Sequence, residues 1–206
     1  IVDITYLREG GTSFAKKITV NPASRYTVPV NADLNVAATS ATGTSVSVML
    51  QNDPISPCIG FAAERPMYFN YHGNQSDSDV VGATHLNTNF YFADIPSGGG
   101  ITSYLTILNP PKGQTATVTA TYYAKGVQVG QQMVSVPAGQ RGTLAPGLLS
   151  LPQHSAAVVT STQPVVIERP TYFSNINGGN AGTVTGAASV IGSQLLQNEF
   201  FFAEGY

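Results

Sequence analysis

The sequence predicts an all-β chain made of two tandem antiparallel β-sandwich (Ig-like) domains, the first incomplete. Three observations predict it. Short runs rich in Thr, Val, Tyr and Phe suit pleated, half-buried surfaces, and they are punctuated by Gly, Pro and Asn. No stretch sustains a helical period. The chain also repeats itself, with a unit of about 110 residues that suits a sandwich of roughly seven to nine strands.

The elements follow in order. Val2-Asp3-Ile4-Thr5-Tyr6 alternates apolar and polar residues and leads into a turn at Glu9-Gly10-Gly11. The same pattern returns in residues 116–122, where small or apolar residues share one face and threonines the other. Residues 131–136 continue it after Lys125-Gly126, a hairpin signal. Leu148-Leu149-Ser150-Leu151 is long enough for a single helical turn at most.

Several motifs recur in one order. Glu64-Arg65-Pro66-Met67-Tyr68-Phe69 returns as Glu168-Arg169-Pro170-Thr171-Tyr172-Phe173, and Asp79-Val80-Val81-Gly82-Ala83 as Thr183-Val184-Thr185-Gly186-Ala187. Asn89-Phe90-Tyr91-Phe92-Ala93-Asp94 returns as Glu199-Phe200-Phe201-Phe202-Ala203-Glu204. Residues 2–6 match 118–122, and Pro22-Ala23-Ser24-Arg25 matches Pro137-Ala138-Gly139-Gln140-Arg141. The spacing drifts between matches, as insertions in the loops of diverged copies produce. The expected division is an incomplete first repeat over 1–88, a complete second repeat over 89–198 and a C-terminal strand over 199–206. The chain opens at Ile1 rather than Met, so it reads as a processed product or an excerpt.

Composition narrows the function classes. Charged residues are 10 % of the chain, against roughly 25 % in an average soluble domain. Hydrophobic residues at 42 % are too many for a disordered chain. An uncharged surface of Ser, Thr, Asn and Gln points to a secreted or cell-surface location. The net charge of −2 offers no basic footprint for nucleic acid, and no run is long enough for a transmembrane helix. Cys58 stands alone, so neither an intrachain disulfide nor a thiolate cluster can form.

The paired Glu-Arg-Pro motifs, Glu64, Arg65 and Pro66 with Glu168, Arg169 and Pro170, read as shared architecture rather than a site. Proline removes a ladder donor and belongs on an edge or bulge, and the arginine beside it can reach carbonyls at a junction. Together these signatures resemble a repeat found in tandem in large secreted surface proteins of Gram-positive and filamentous bacteria. The residues that carry the resemblance are 64–69, 80–83, 90–94 and 200–205, and it implies an extracellular β-rich module with no established chemistry. Asp94-Ile95-Pro96 departs from the pattern's Glu-Gly, which implies a different turn there.

Catalytic signatures are missing. The chain has no nucleophile elbow, P-loop, zincin helix or dinucleotide fingerprint. With three histidines and 11 acidic residues, the chain is read as non-enzymatic and as needing no cofactor. Asp77 and Asp79, after Asn74-Gln75, offer clustered oxygens of the kind Ca²⁺ takes, or else a solvated acidic loop. The second copy has no carboxylate there. Asn74-Gln75-Ser76 is a glycosylation sequon. Tyr68, Phe69 and Tyr71 would suit stacking on glycan rings, or packing between domains.

The phase of the repeat carries the functional expectation. A sandwich without its opening strands exposes an apolar cleft and unpaired backbone, and a free strand bearing three phenylalanines is an aggregation hazard. Both are relieved if Phe200, Phe201, Phe202, Ala203 and Glu204 of one copy enter the first repeat of the next. Val2, Ile4 and Tyr6 are expected at the acceptor edge. The expected partner is the chain itself, in a head-to-tail filament formed by donor-strand complementation. The alternatives are an adhesin or carbohydrate-binding module, or an excerpt of a longer tandem-repeat cell-surface protein. The tail supplies only one of the two strands the first repeat lacks.

Overall fold

The structure is a computed structural model that describes residues 1–35, 46–55, 60–71, 73–179 and 182–203. It is built almost wholly of β-strands. The first three are β1 (Val2–Arg8), β2 (Phe14–Ile18) and β3 (Val46–Asn52), an antiparallel sheet in the order β2-β1-β3. A single helical turn, α1 (Val30–Asp33), lies between β2 and β3. Four residues are too few to leave a periodic signature, so nothing in the sequence announced it. β4 (Met67–Tyr71) and β5 (Asn74–Ser78) form a separate hairpin.

The remaining strands form one eight-stranded sheet that curls on itself and partly closes around a core. They are β6 (Asn87–Phe92), β7 (Ile101–Ser103), β8 (Leu105–Asn109), β9 (Ala116–Ala124), β10 (Val127–Val136), β11 (Gln140–Leu144), β12 (Ala156–Asn177) and β13 (Thr183–Ile191). The 22-residue β12 is the spine. Its first part pairs with β9 on one edge and β6 on the other; its second part pairs with β8, β7 and β13. The register shifts between Thr160 and Val165, where Pro164 removes a ladder donor.

The period-2 pattern becomes burial. Ala116, Val118, Ala120 and Tyr122 of β9 face inward onto Phe90, Leu105, Ile107, Val159 and Ile167, while the threonines between them are only half-buried. Lys125 and Gly126 both take positive φ, 49° and 79°, the geometry of the tight turn that joins β9 to β10. A 3-10 turn over Pro146–Leu148 fills the place of the short helical segment.

β1 repeats the β9 pattern: Val2, Ile4 and Tyr6 are buried. Tyr6 stacks on Phe14 at 5.7 Å between ring centroids, and its phenol donates to Asp33 of α1, which Lys16 also engages. Burial, then the bond to Asp33 and its charge, keep the Tyr6 phenol protonated well above the usual tyrosine range. Burial would raise the Asp33 carboxyl, but hydrogen bonds from Lys16 and Tyr6 outweigh it and hold it low. The matching Tyr122 donates to Gln132 Oε1 at 3.0 Å, an uncharged version of the same arrangement. No helix among the described residues is long and apolar enough to cross a membrane.

Candidate assembly interface

The strand whose sequence the tail repeats is β6, and its place shows what such a segment does when seated. Phe92 lies opposite Ala157, Tyr91 opposite Val158 and Phe90 opposite Val159. Phe90 and Phe92 are 0 % and 4 % exposed and belong to the same core as Val159 of β12 and Leu105 and Ile107 of β8. Tyr91 exchanges backbone bonds with Ser193 on its other edge, at 2.8 and 3.0 Å. Gly192 leaves the room these rings need: a Cβ there would lie 2.6 Å from Phe92 Cζ and 3.1 Å from Phe90 Cβ. At the end of β6 the Asp94 carbonyl accepts a hydrogen bond from Arg169 Nη1. Burial lowers the pKa of that guanidinium, and the Asp94 carboxylate partly opposes the shift.

The tail is unlike its counterpart. Residues 199–203 form no strand, and Phe200, Phe201 and Phe202 are 60 %, 89 % and 85 % exposed. Ala203 is exposed as well, and Glu204 lies outside the described residues. The same residue pattern is therefore a core strand at 89–94 and an unpaired, solvent-facing segment at 199–203.

The acceptor expected at Val2, Ile4 and Tyr6 needs a correction. β1 is the middle strand of its sheet, bonded to β2 on one side and β3 on the other, so these residues line the core side of the sheet and form no edge. The match with β9 carries the same consequence, because β9 is flanked in the same way by β10 and β12. Among the described residues the outer edges of this sheet belong to β2 and β3, and β3 is the one that carries inward-facing apolar residues in register with β1. Ile4 faces Leu50 and Tyr6 faces Val48, so Val48 and Leu50 share the inward face of β1. Both are only half-buried, whereas Ala157 and Val159 on β12 are buried beneath β6. Among the described residues no strand pairs along the outer edge of residues 47–51.

The Glu-Arg-Pro motifs meet each other. Arg65 donates to Glu168 through both terminal nitrogens, at 3.1 and 2.6 Å, so the arginine of one copy clamps the glutamate of the other. Phe69 and Tyr172 meet edge to face at 5.4 Å between ring centroids, and Tyr104 meets Tyr172 in a similar geometry at 6.2 Å. Glu9 adds a second tie, accepting from Arg141 at 2.7 Å and Thr143 at 2.8 Å. Glu64 and Pro66 stay exposed beside β4. Pro170 is buried within β12 and paired with Ser189 of β13. Its carbonyl accepts from Tyr104, the residue that separates β7 from β8, so its missing donor falls at a break in the neighbouring strands. No spacing rule in one sequence says that residue 65 seeks residue 168.

The other candidates are dispersed. Asp77 faces Tyr68 across the β4–β5 hairpin, and Asp79 Oδ1 accepts from the backbone N–H of Val80 at 2.8 Å. Among the described residues no group of three or more His, Cys, Asp or Glu side chains is placed to hold a metal ion. Tyr68 is exposed, but Phe69 turns the opposite way onto Tyr172. His72 and Cys58 lie outside the described residues.

No protein-family model matches the chain, and no curated protein is similar to it. Several solved structures are similar in part, among them the following two. A Thermotoga maritima protein titled "Crystal Structure of Thermotoga maritima 1070" covers 53 % of this chain and 95 % of its own, at 16 % identity and a TM-score of 0.45. The Anabaena sensory rhodopsin transducer covers 42 % of this chain and 83 % of its own, at 22 % identity and a TM-score of 0.36.

Proposed function

We propose that the protein is an extracellular structural subunit, two Ig-like sandwich units in tandem, that joins copies of itself head to tail by strand donation. The observation that carries the reading is the contrast between β6 and the tail. One aromatic strand pattern is seated in a core at 89–94 and lies in solvent at 199–203. Three adjacent exposed phenylalanines are a poor surface for an isolated molecule and a good strand for a partner with an open sheet edge. The open edge of β3 supplies such a partner. The donor and the acceptor are different surfaces, so the contact is heterologous and propagates as a fibre unless its rotation closes a ring. The low charge and the hydrogen-bonding surface fit an extracellular setting, and the reading assigns the chain no catalytic role.

Two other readings stay distinct. A longer tandem-repeat chain would seat a neighbouring repeat's strand covalently, by the same pairing. An adhesin would present Tyr68 and its surroundings to glycans. Removing residues 199–206 and measuring assembly by size-exclusion chromatography and electron microscopy tests the proposal. The intact chain is expected to form linear oligomers and the truncated chain to remain a monomer. Normal polymerisation of the truncated chain overturns strand donation by this tail, and glycan binding unaffected by the truncation favours the adhesin.

A further inference from the structure

We infer that the acceptor is the outer edge of β3 and that the donated tail of a second copy lies antiparallel to it in one register, Phe200 opposite Leu50 and Phe202 opposite Val48. This inference rests on the strand-donation reading and specifies its joint.

The register follows from pairings seen in the C-terminal unit. Along β9 and β12, Ala120 faces Val159 and Tyr122 faces Ala157. Along β1 and β3, Ile4 faces Leu50 and Tyr6 faces Val48. The repeat matches Ile4 with Ala120 and Tyr6 with Tyr122, so Leu50 stands where Val159 stands and Val48 where Ala157 stands. On the far edge of β12, Val159 takes Phe90 and Ala157 takes Phe92. The tail repeats that strand, with Phe200 for Phe90 and Phe202 for Phe92. Three matched strands thus leave one place in the N-terminal sheet that no strand among the described residues takes, and the segment with the matching sequence is the exposed one. Val48 and Leu50 are half-buried, as are Ser47 and Met49 on the other face, whereas Ala157 and Val159 are buried beneath β6.

Backbone direction agrees. Tyr91 turns its N–H and C=O toward Ser193, so Tyr91 and Val158 form a non-hydrogen-bonded pair, with their side chains close. Phe201 and Met49 are the corresponding pair. They lie on the face away from the core, since side chains alternate along each strand. Leu50 and Val48 then turn their backbone groups outward, ready to bond Phe200 and Phe202. A slip of one residue would send Phe200 and Phe202 to solvent and is excluded by the buried face.

Cross-linking tests the register with the full chain. In a Cys58→Ser background, chains carrying Met49→Cys are mixed with chains carrying Phe201→Cys and mildly oxidised. The comparison uses Phe202→Cys in place of Phe201→Cys, and sedimentation reads assembly separately. The 49–201 disulfide between different chains is expected at about ten times the yield of the 49–202 pair, because a disulfide needs Cβ atoms roughly 3.5–4.5 Å apart. Intact assembly with the 49–202 link dominant, or with Phe201→Cys reacting instead with Lys17→Cys on the β2 edge, overturns this register and leaves strand donation standing. A chain carrying both Met49→Cys and Phe201→Cys that closes on itself at high dilution, or chains that neither link nor sediment, overturns both.

Discussion

Phe92 and Phe202 hold matching places in the repeat, yet one is 4 % exposed and the other 85 %. Truncating each to alanine separates what the segment does within its own chain from what it does for a neighbour. Phe92→Ala empties a ring-sized space between Gly192 and the core, and such changes cost about 3–5 kcal/mol. With a urea m-value of about 2 kcal/mol per M, the midpoint falls by roughly 2 M. Phe202→Ala changes the isolated chain by less than about 0.5 kcal/mol, since the ring is already in water. In a joint, the same ring has nearly its whole burial still to gain, about 1.5–3 kcal/mol. Its loss therefore raises the concentration needed for assembly by roughly 10- to 150-fold. Tyrosine fluorescence follows unfolding below that concentration, since the chain has 10 tyrosines and no tryptophan. Sedimentation measures assembly. The reasoning fails if Phe202→Ala destabilises the isolated chain as much as Phe92→Ala does, or if it leaves the assembly threshold within about twofold of the parent.

Other outcomes follow from the same contacts. A double-mutant cycle of Arg65→Ala and Glu168→Ala is expected to give a coupling of about 1 kcal/mol, the bidentate geometry strengthening it and the exposed arginine end weakening it; additive single effects would show that the clamp contributes nothing. Burial raises the pKa values of Tyr6, Tyr122 and Tyr172, so their contribution is complete below about pH 10 and is lost as pH rises from there through their folded values. Urea midpoints should therefore hold from pH 8 to about 10 and fall above it, and Tyr122→Phe should flatten the fall by up to about 1.4 kcal/mol per pH unit. Gly192→Ala presses a methyl into the Phe92 ring and is expected to cost about 1–3 kcal/mol, less when combined with Phe92→Leu; an equal cost in both backgrounds would place the strain elsewhere.

Local patterns were readable and long-range partners were not. The alternation at 2–6 and 116–122 announces strands because burial on one face selects residue types with period 2. Lys125-Gly126 announces its turn because few residues tolerate positive φ. β12 was not legible as one strand, because Pro164 and Pro170 look like breaks. The fold absorbs one at a register shift and the other where β7 gives way to β8. The mistaken acceptor has the same origin. Repeat matching equates β1 with β9, but which strands flank either depends on contacts far apart in the chain. Tyr6 shows a subtler limit: its match with Tyr122 is plain in sequence, while its partner Asp33 comes from a turn with no counterpart in the repeat.

The continuity of β12 has a consequence for how the eight-stranded sheet comes apart. One unbroken length of backbone is ladder partner to five other strands, β6, β7, β8, β9 and β13. The backbone runs through both irregularities in its pairing, between Thr160 and Val165 and between Phe173 and Ile176. Amide protons along residues 156–177 should therefore share a single opening energy instead of grading from end to end. If copies are joined as proposed, such a unit would pass a pull along its whole length rather than yield strand by strand.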